Sequence, residues 1–208
     1  MPVIGNIDVT EAETPVQMTV FEETDRIFLN PEFRDDWRIR KAIRQRVEKA
    51  SLSLPDGLAF MIYEAYRSRQ QQKEIWDPVY TRLKNENSEW SADKLYAEVS
   101  RWISPPDGFG SGHQAGAAVD ITLATFDRIP LNMGTNMNEK SPLTMTSSPV
   151  NKNIRKNREI LITALADNDL VNYPEEWWHF SYGDRLWAEI TGRTHAFFAP
   201  IDYGSKGG

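Results

Sequence analysis

No cysteine occurs among the 208 residues of the chain. This excludes disulfides, thiol nucleophiles and every thiolate metal site, so a bound metal would have to be held by His, Asp or Glu. Histidine is scarce too, with 3 in the whole chain. Positive charge is in deficit: 24 Lys and Arg stand against 30 Asp and Glu, a net charge of -6. No basic field is left to condense on a phosphate backbone or an anionic leaflet. No stretch reaches the roughly 20 apolar residues of a membrane span, and residues 1–25 carry acids where a secretory signal needs a basic start. The expectations are no nucleic-acid partner, no membrane attachment and a cytoplasmic location. What remains, 40% hydrophobic and 26% charged, is the composition of an ordinary globular protein.

No repeat, low-complexity tract or convincing linker divides the chain, so the reading is one α+β domain over residues 1–208, with residues 1–24 as a possible extended arm. Trp37, Ile39, Ile43, Val47 and Ala50 fall at helical spacing and predict an amphipathic helix ending near Pro55-Asp56-Gly57. Leu58 to Tyr66, continuously apolar and bounded by that turn, reads as a buried strand with Arg67 just past its end. Ser68 and Gln71 form a capping-box pattern that starts a helix, which Pro78 is expected to interrupt or restart. Leu95, Val99 and Trp102 predict another helix, stopped by Pro105-Pro106. After a Gly-rich loop, Ala117 to Leu123 reads as a strand carrying one acid. Asn132 to Val150 reads as a functional loop, Asn153 to Asp169 as a helix, Trp177 to Tyr182 as a strand and Leu186 to Thr191 as a short helix.

Chemistry concentrates at two of the histidines. In Ser111-Gly112-His113-Gln114-Ala115-Gly116-Ala117-Ala118-Val119-Asp120, one continuous helix would hold His113 and Asp120 about 10 Å apart, too far to share a metal with bonds of about 2 Å. The glycines supply the turn that lets them meet, with His113 on a loop and Asp120 in the strand that leaves it. An ionised Asp inside an apolar strand is costly unless it is paired or bound to a cation. In Glu175-Glu176-Trp177-Trp178-His179, strict alternation puts Glu176 and His179 on opposite faces, so both reach one site only if the strand is bulged or begins after Glu176. Each histidine alone reads more readily as a hydrogen-bonded core residue, and Arg67 alone as a solvated strand-end charge. Together, His113, Asp120 and His179 make a three-ligand set that leaves a fourth zinc position open for water. Glu176 is then the candidate general base and Arg67 the candidate partner of an oxyanion. His195 has no nearby acid and reads as structural.

The pattern Ser111-x-His113-x-x-Gly116-x-Ala118-x-Asp120, followed by Glu176-Trp177-Trp178-His179, resembles the zinc-dependent D-alanyl-D-alanine dipeptidases and the related D,D-carboxypeptidases of peptidase family M15. Tyr66-Arg67 after a buried strand and Met133-Gly134-Thr135 extend the resemblance over roughly residues 58 to 190. It implies an α+β fold with a central antiparallel sheet flanked by helices and a zinc site at the sheet. It implies one Zn2+ per chain on His113, Asp120 and His179, Glu176 as catalytic base, Arg67 as oxyanion stabiliser and Ser111 in the substrate site. The implied substrate is a small peptide such as D-Ala-D-Ala. Two departures bear on it. After Met-Gly-Thr the family usually runs on to Phe-Asp, whose acid pairs with the substrate ammonium. Here Met137 and Asn138 stand in those places, with Glu139 next door as a substitute acid. Ile27 to Phe33 keeps at most the end of the family's Tyr-Ala-Thr-x-x-Asn-Phe segment. A modified or N-blocked peptide is therefore an alternative substrate, as is D,D-carboxypeptidase action on longer wall peptides. A non-catalytic zinc-containing peptide-binding module is the alternative of a different class.

Overall fold

The computed structural model describes residues 7–202 apart from 14, 33, 102 and 140. In chain order it contains β1 (Asp8–Val9), β2 (Met18–Val20), β3 (Ile27–Leu29), β4 (Arg38–Arg40), α1 (Lys41–Ser51), β5 (Leu58–Glu64), α2 (Arg69–Glu86) and α3 (Ala92–Ser100). There follow β6 (Ala118–Thr125), α4 (Lys152–Ala166), β7 (Val171–Asn172), β8 (His179–Ser181), α5 (Arg185–Ile190) and β9 (His195–Ala196). The main sheet runs β3-β5-β6-β8-β7, an α+β arrangement with helices packed about it. The expected antiparallel pairing holds for β5 with β6, β6 with β8 and β7 with β8. The edge strand β3 instead joins β5 in parallel, which makes the sheet mixed.

β5 and β6 read as unbroken apolar runs because both of their faces are covered. On β6, Val119, Ile121 and Leu123 are fully buried in the core. Alternation gives Asp120, Thr122 and Ala124 to the other face. β5 and β6 are in simple register from Leu58↔Thr125 to Ile62↔Ile121, then shift so that Glu64 lies opposite Asp120. The shift inserts Tyr63 as an extra residue and returns Glu64 to the face that carries Asp120. Across the other side of β6, Asp120 lies opposite His179. Glu64, Asp120 and His179 thus form one row over three strands.

Two local expectations are corrected. Trp37 and Ile39 precede the helix, Ile39 within β4, because Arg38 to Arg40 pair with Met18 to Val20 and the helix begins at Lys41. The spacing could not separate a strand leading into a helix from a longer helix. Pro78 lies inside α2 without ending it; one missing N–H and a local bend are tolerated within an 18-residue helix. The capping box is present as read, with Ser68 accepting from Gln71 N and Gln71 returning to the Ser68 backbone. Leu95 and Val99 pack against Trp76 of α2, and Trp102 lies outside the described residues. Among the described residues no helix is long and apolar enough to cross a membrane.

Candidate metal centre and active site

The loop before β6 folds back on itself. Ala117 N donates to Gly112 O at 2.9 Å and Gly116 N to His113 O at 3.0 Å. Gly116 has a φ of 61°, a conformation that side chains resist. Gly112 has no room for a Cβ, which would collide with Asp184 Oδ2. The fold-back presents His113 toward Asp120. His113 Nδ1 donates to Ala65 O at 2.8 Å, which fixes the tautomer and leaves Nε2 as the lone-pair nitrogen. Nε2 lies 3.3 Å from Asp120 Oδ1, and His179 Nδ1 lies 3.0 Å from the same oxygen. One ligand atom from each of the three residues falls within 4.8 Å of the others, so the set can hold a metal ion.

The ionised state of Asp120 fits that use. Burial pushes the Asp120 carboxyl up, but the charges and hydrogen bonds of His113 and His179 outweigh it and hold the group ionised, well below its usual range. Burial pulls His179 down, and Asp120 more than compensates, so the imidazole is raised.

β8 begins only at His179, so Glu176 is in the preceding turn and escapes strand alternation. That turn is tied by Asn172, whose Nδ2 donates to Glu176 O at 3.0 Å and His179 O at 3.1 Å. Burial lifts the Glu176 carboxyl above its ordinary value, aided by Asp120 and opposed by His179, His113 and Arg67. Arg67 is held by a two-point pair with Glu64, Nε to Oε1 at 2.8 Å and Nη2 to Oε2 at 2.7 Å, and Nη1 donates to Gln72 Oε1 at 3.0 Å. Three of its five N–H groups are committed, which leaves two for another acceptor. Burial would lower the guanidinium, but Glu64 outweighs it and keeps Arg67 charged. Ser111 joins the network by donating from Oγ to Gln72 Oε1 at 3.1 Å.

Asn138 is exposed with a φ of 57°. Its neighbours Met137 and Glu139 instead line a cavity together with Thr122 and Trp177. His195, on β9, meets only Thr194 Oγ1, at 2.8 Å, in side-chain hydrogen bonding among the described residues. Sequence reasoning missed Glu64, Gln72 and Asn172, which act on the site through other residues. It also missed Arg158, whose buried guanidinium donates to Met133 O at 2.9 Å, Met145 O at 2.8 Å and Leu143 O at 2.7 Å, clasping the loop around residues 132–150. An interior arginine on an amphipathic helix was the available signal, because such a charge needs buried acceptors.

A buried two-imidazole, one-carboxylate set with a second carboxylate and an arginine beside it belongs to the class of metal-dependent hydrolases. Residues 38–199 match the Peptidase M15 family, described as D-Ala-D-Ala dipeptidase, and the chain belongs to that family of zinc metallopeptidases. It is 27% identical over 195 residues to a D-alanyl-D-alanine dipeptidase of Synechocystis sp., covering 82% of this chain and 79% of that one. It is 27% identical over 146 residues to the D-alanyl-D-alanine dipeptidase of Escherichia coli, covering 68% of this chain and 64% of that one. Among solved structures, it is similar to a vancomycin-resistance D,D-pentapeptidase VanY in complex with Zn(II), at a TM-score of 0.47 and 16% identity over 93% of this chain and 97% of that one. It is likewise similar to the LdcB LD-carboxypeptidase, at a TM-score of 0.47 and 19% identity over 91% of this chain and 77% of that one.

Proposed function

We propose that the chain hydrolyses the peptide bond of a small D-amino-acid-containing dipeptide such as D-Ala-D-Ala, with one zinc per chain held by His113, Asp120 and His179. The observation that carries this is the convergence of the three ligand atoms within 4.8 Å in a chain of this family. The donor set fits zinc: two imidazole nitrogens and one carboxylate oxygen are ordinary zinc ligands, and three protein ligands leave a position for water or substrate. The hydrogen bond from His113 to Ala65 O is the outer support that metal-bound histidines ordinarily have. When bound, zinc supplies a Lewis acid that acidifies water and polarises a carbonyl.

The chain's own groups divide the remaining work. Glu176, raised by burial, takes the proton of the attacking water and returns it to the leaving amine. Arg67 turns its two uncommitted N–H groups to the oxygen on which negative charge develops. Ser111, tied to Arg67 through Gln72, borders the substrate. A cytoplasmic enzyme acting on wall dipeptide is the biological setting proposed, with no nucleic-acid or membrane partner.

Glu176→Ala tests the reading. The variant is expected to retain zinc by metal analysis and lose about 1,000-fold or more in kcat on D-Ala-D-Ala. Retention of turnover removes Glu176 as the base. Retention of peptide affinity in a wild-type protein that never cleaves it favours the binding-module alternative.

A further inference from the structure

A cavity of about 570 Å3 is bordered by Thr122 of β6 and by the loop around Met133 to Glu139. Thr122 forms its floor, Met133, Met137 and Trp177 stand in its walls, and Glu32 and Glu139 are exposed at its rim. Thr122 is the next residue after Asp120 on the same face of β6, one two-residue repeat or about 6.7 Å along the strand. Trp177 directly follows Glu176. The cavity therefore lies alongside the metal ligands and the candidate base.

Three features describe what would fill it. Its volume is in the range of roughly 300–1,000 Å3 that holds drug-sized ligands, so an alanine methyl would leave most of it to water. It has two carboxylates at its rim, and no Lys or Arg lines it among the described residues. Glu139 Oε2 accepts a hydrogen bond from Asn136 N at 3.0 Å, and among the described residues no Lys or Arg pairs with it. Finally, Thr122 is only 2% exposed, yet its Oγ1 has no hydrogen-bond partner among the described residues. A buried hydroxyl without a partner is unfavourable, and on a residue that lines the cavity a turn of the side chain brings it to a polar ligand group.

A dipeptide has a cationic and an anionic end. Arg67 and the metal ligands draw the reacting carbonyl and its carboxylate side, so the acidic, base-free cavity complements the amino-terminal side. The α-ammonium balances one rim carboxylate, and a second cationic group balances the other. Methionine-lined walls suit an alkyl stem between them. Building on the dipeptidase reading above, we infer that this cavity receives the amino-terminal residue of the substrate, and that the favoured residue is larger than alanine and basic. Glu32 and Glu139 then take the anchoring role for which position 138 has no acid.

The test is calorimetric binding of D-lysyl-D-alanine and D-norleucyl-D-alanine to the zinc-loaded Glu176→Gln protein, in which turnover is blocked. The two peptides share a stem and differ in the terminal ammonium. D-Lysyl-D-alanine is expected to bind about ten-fold more tightly, and Glu32→Gln or Glu139→Gln to cut that advantage to about three-fold or less. Both acids are exposed, so these changes spare the fold. Thr122→Val is expected to weaken both peptides a few-fold while raising the melting temperature, because it removes a buried hydroxyl that has no partner among the described residues. Equal affinities for the two peptides, or an advantage that survives both Gln substitutions, overturn the assignment. Turnover by the unsubstituted protein separates the two levels. Tight, Glu-dependent binding without cleavage supports the cavity assignment and sinks the dipeptidase reading. Cleavage of D-Ala-D-Ala with no preference for the lysyl peptide keeps that reading and overturns the assignment.

Discussion

Glu64 and Arg67 form a buried pair three residues apart, and the pair links stability to the site. Burial raises the Glu64 carboxyl, but Arg67 outweighs it and the net displacement is downward. A carboxyl depressed in the folded state stabilises fully above its unfolded value, near 4.5, and loses that contribution as pH falls through its folded value. Glu64→Gln should therefore lower stability by about 3–5 kcal/mol at neutral pH, since it leaves Arg67 buried without its counter-charge. It should also flatten the loss of stability between neutral and acid pH, as urea titrations at a series of pH values would show. Because Arg67 loses its two-point hold, kcat should fall about 10- to 100-fold with zinc content unchanged. An equally steep acid loss in the variant rules out Glu64 as the titrating group. At this scale the sequence singled out His113, Asp120, His179, Glu176 and Arg67 as candidates, because their residue types and spacing are unusual in themselves, and the structure brings the first three together. Glu64 was hidden inside an apolar strand, and only the register shift that places it opposite Asp120 reveals why an acid stands there.

The loop from Gly108 to Ala117 carries His113 of the candidate metal centre. Gly112 packs against the carboxylate of Asp184, which caps α5 by accepting from Trp187 N at 2.8 Å and also accepts from Ser181 Oγ at 2.8 Å. Gly112→Ala should force the loop off that carboxylate, costing about 1–3 kcal/mol and displacing the adjacent His113. A chelator competition is expected to show zinc held at least ten-fold less tightly, and unchanged affinity would mean that the loop yields without moving His113. The sequence showed that glycines were needed for a turn. It did not show the partner that forbids a side chain, because Asp184 is more than 70 residues away along the chain. The same limit applies to α1, where local periodicity ran through Ile39 but pairing with β2 made that residue part of a strand.

Over the whole molecule, Arg40 fastens segments from both ends of the chain to the metal loop. Its side chain is fully buried, with Nη2 2.9 Å from Glu11 Oε2, Nη1 2.9 Å from Glu13 Oε2, and Nε donating to Ala115 O at 2.7 Å. Nη2 also donates to Ala199 O at 3.1 Å. Arg40→Met should cost about 3 kcal/mol, the low end for a broken buried pair, because Glu11 and Glu13 keep some solvent. It should also loosen residues 8–13, which hydrogen exchange would detect as faster exchange at Thr10 and Ala12, whose amides bond Ala196 O and Phe197 O. Slow exchange there in the variant would mean that the β1–β9 pairing holds this segment without Arg40. Arg40 stands three residues before Ile43 on the apolar stripe, a signal like that of Arg158, but its partners Glu11, Glu13, Ala115 and Ala199 lie too far along the chain to be named from spacing.

The extra residue at Tyr63 separates two alignments that would otherwise be one. Asp120 meets His179 through the pairing of β6 with β8, while Glu64, and through it Arg67, meets Asp120 through the shifted pairing of β5 with β6. The sheet works here like a vernier, with the cation-holding half and the charge-stabilising half each set on its own scale. The two scales meet at Ala65, next after β5, whose carbonyl accepts from His113 Nδ1, so any drift in β5 that retunes Arg67 is also felt at a candidate ligand.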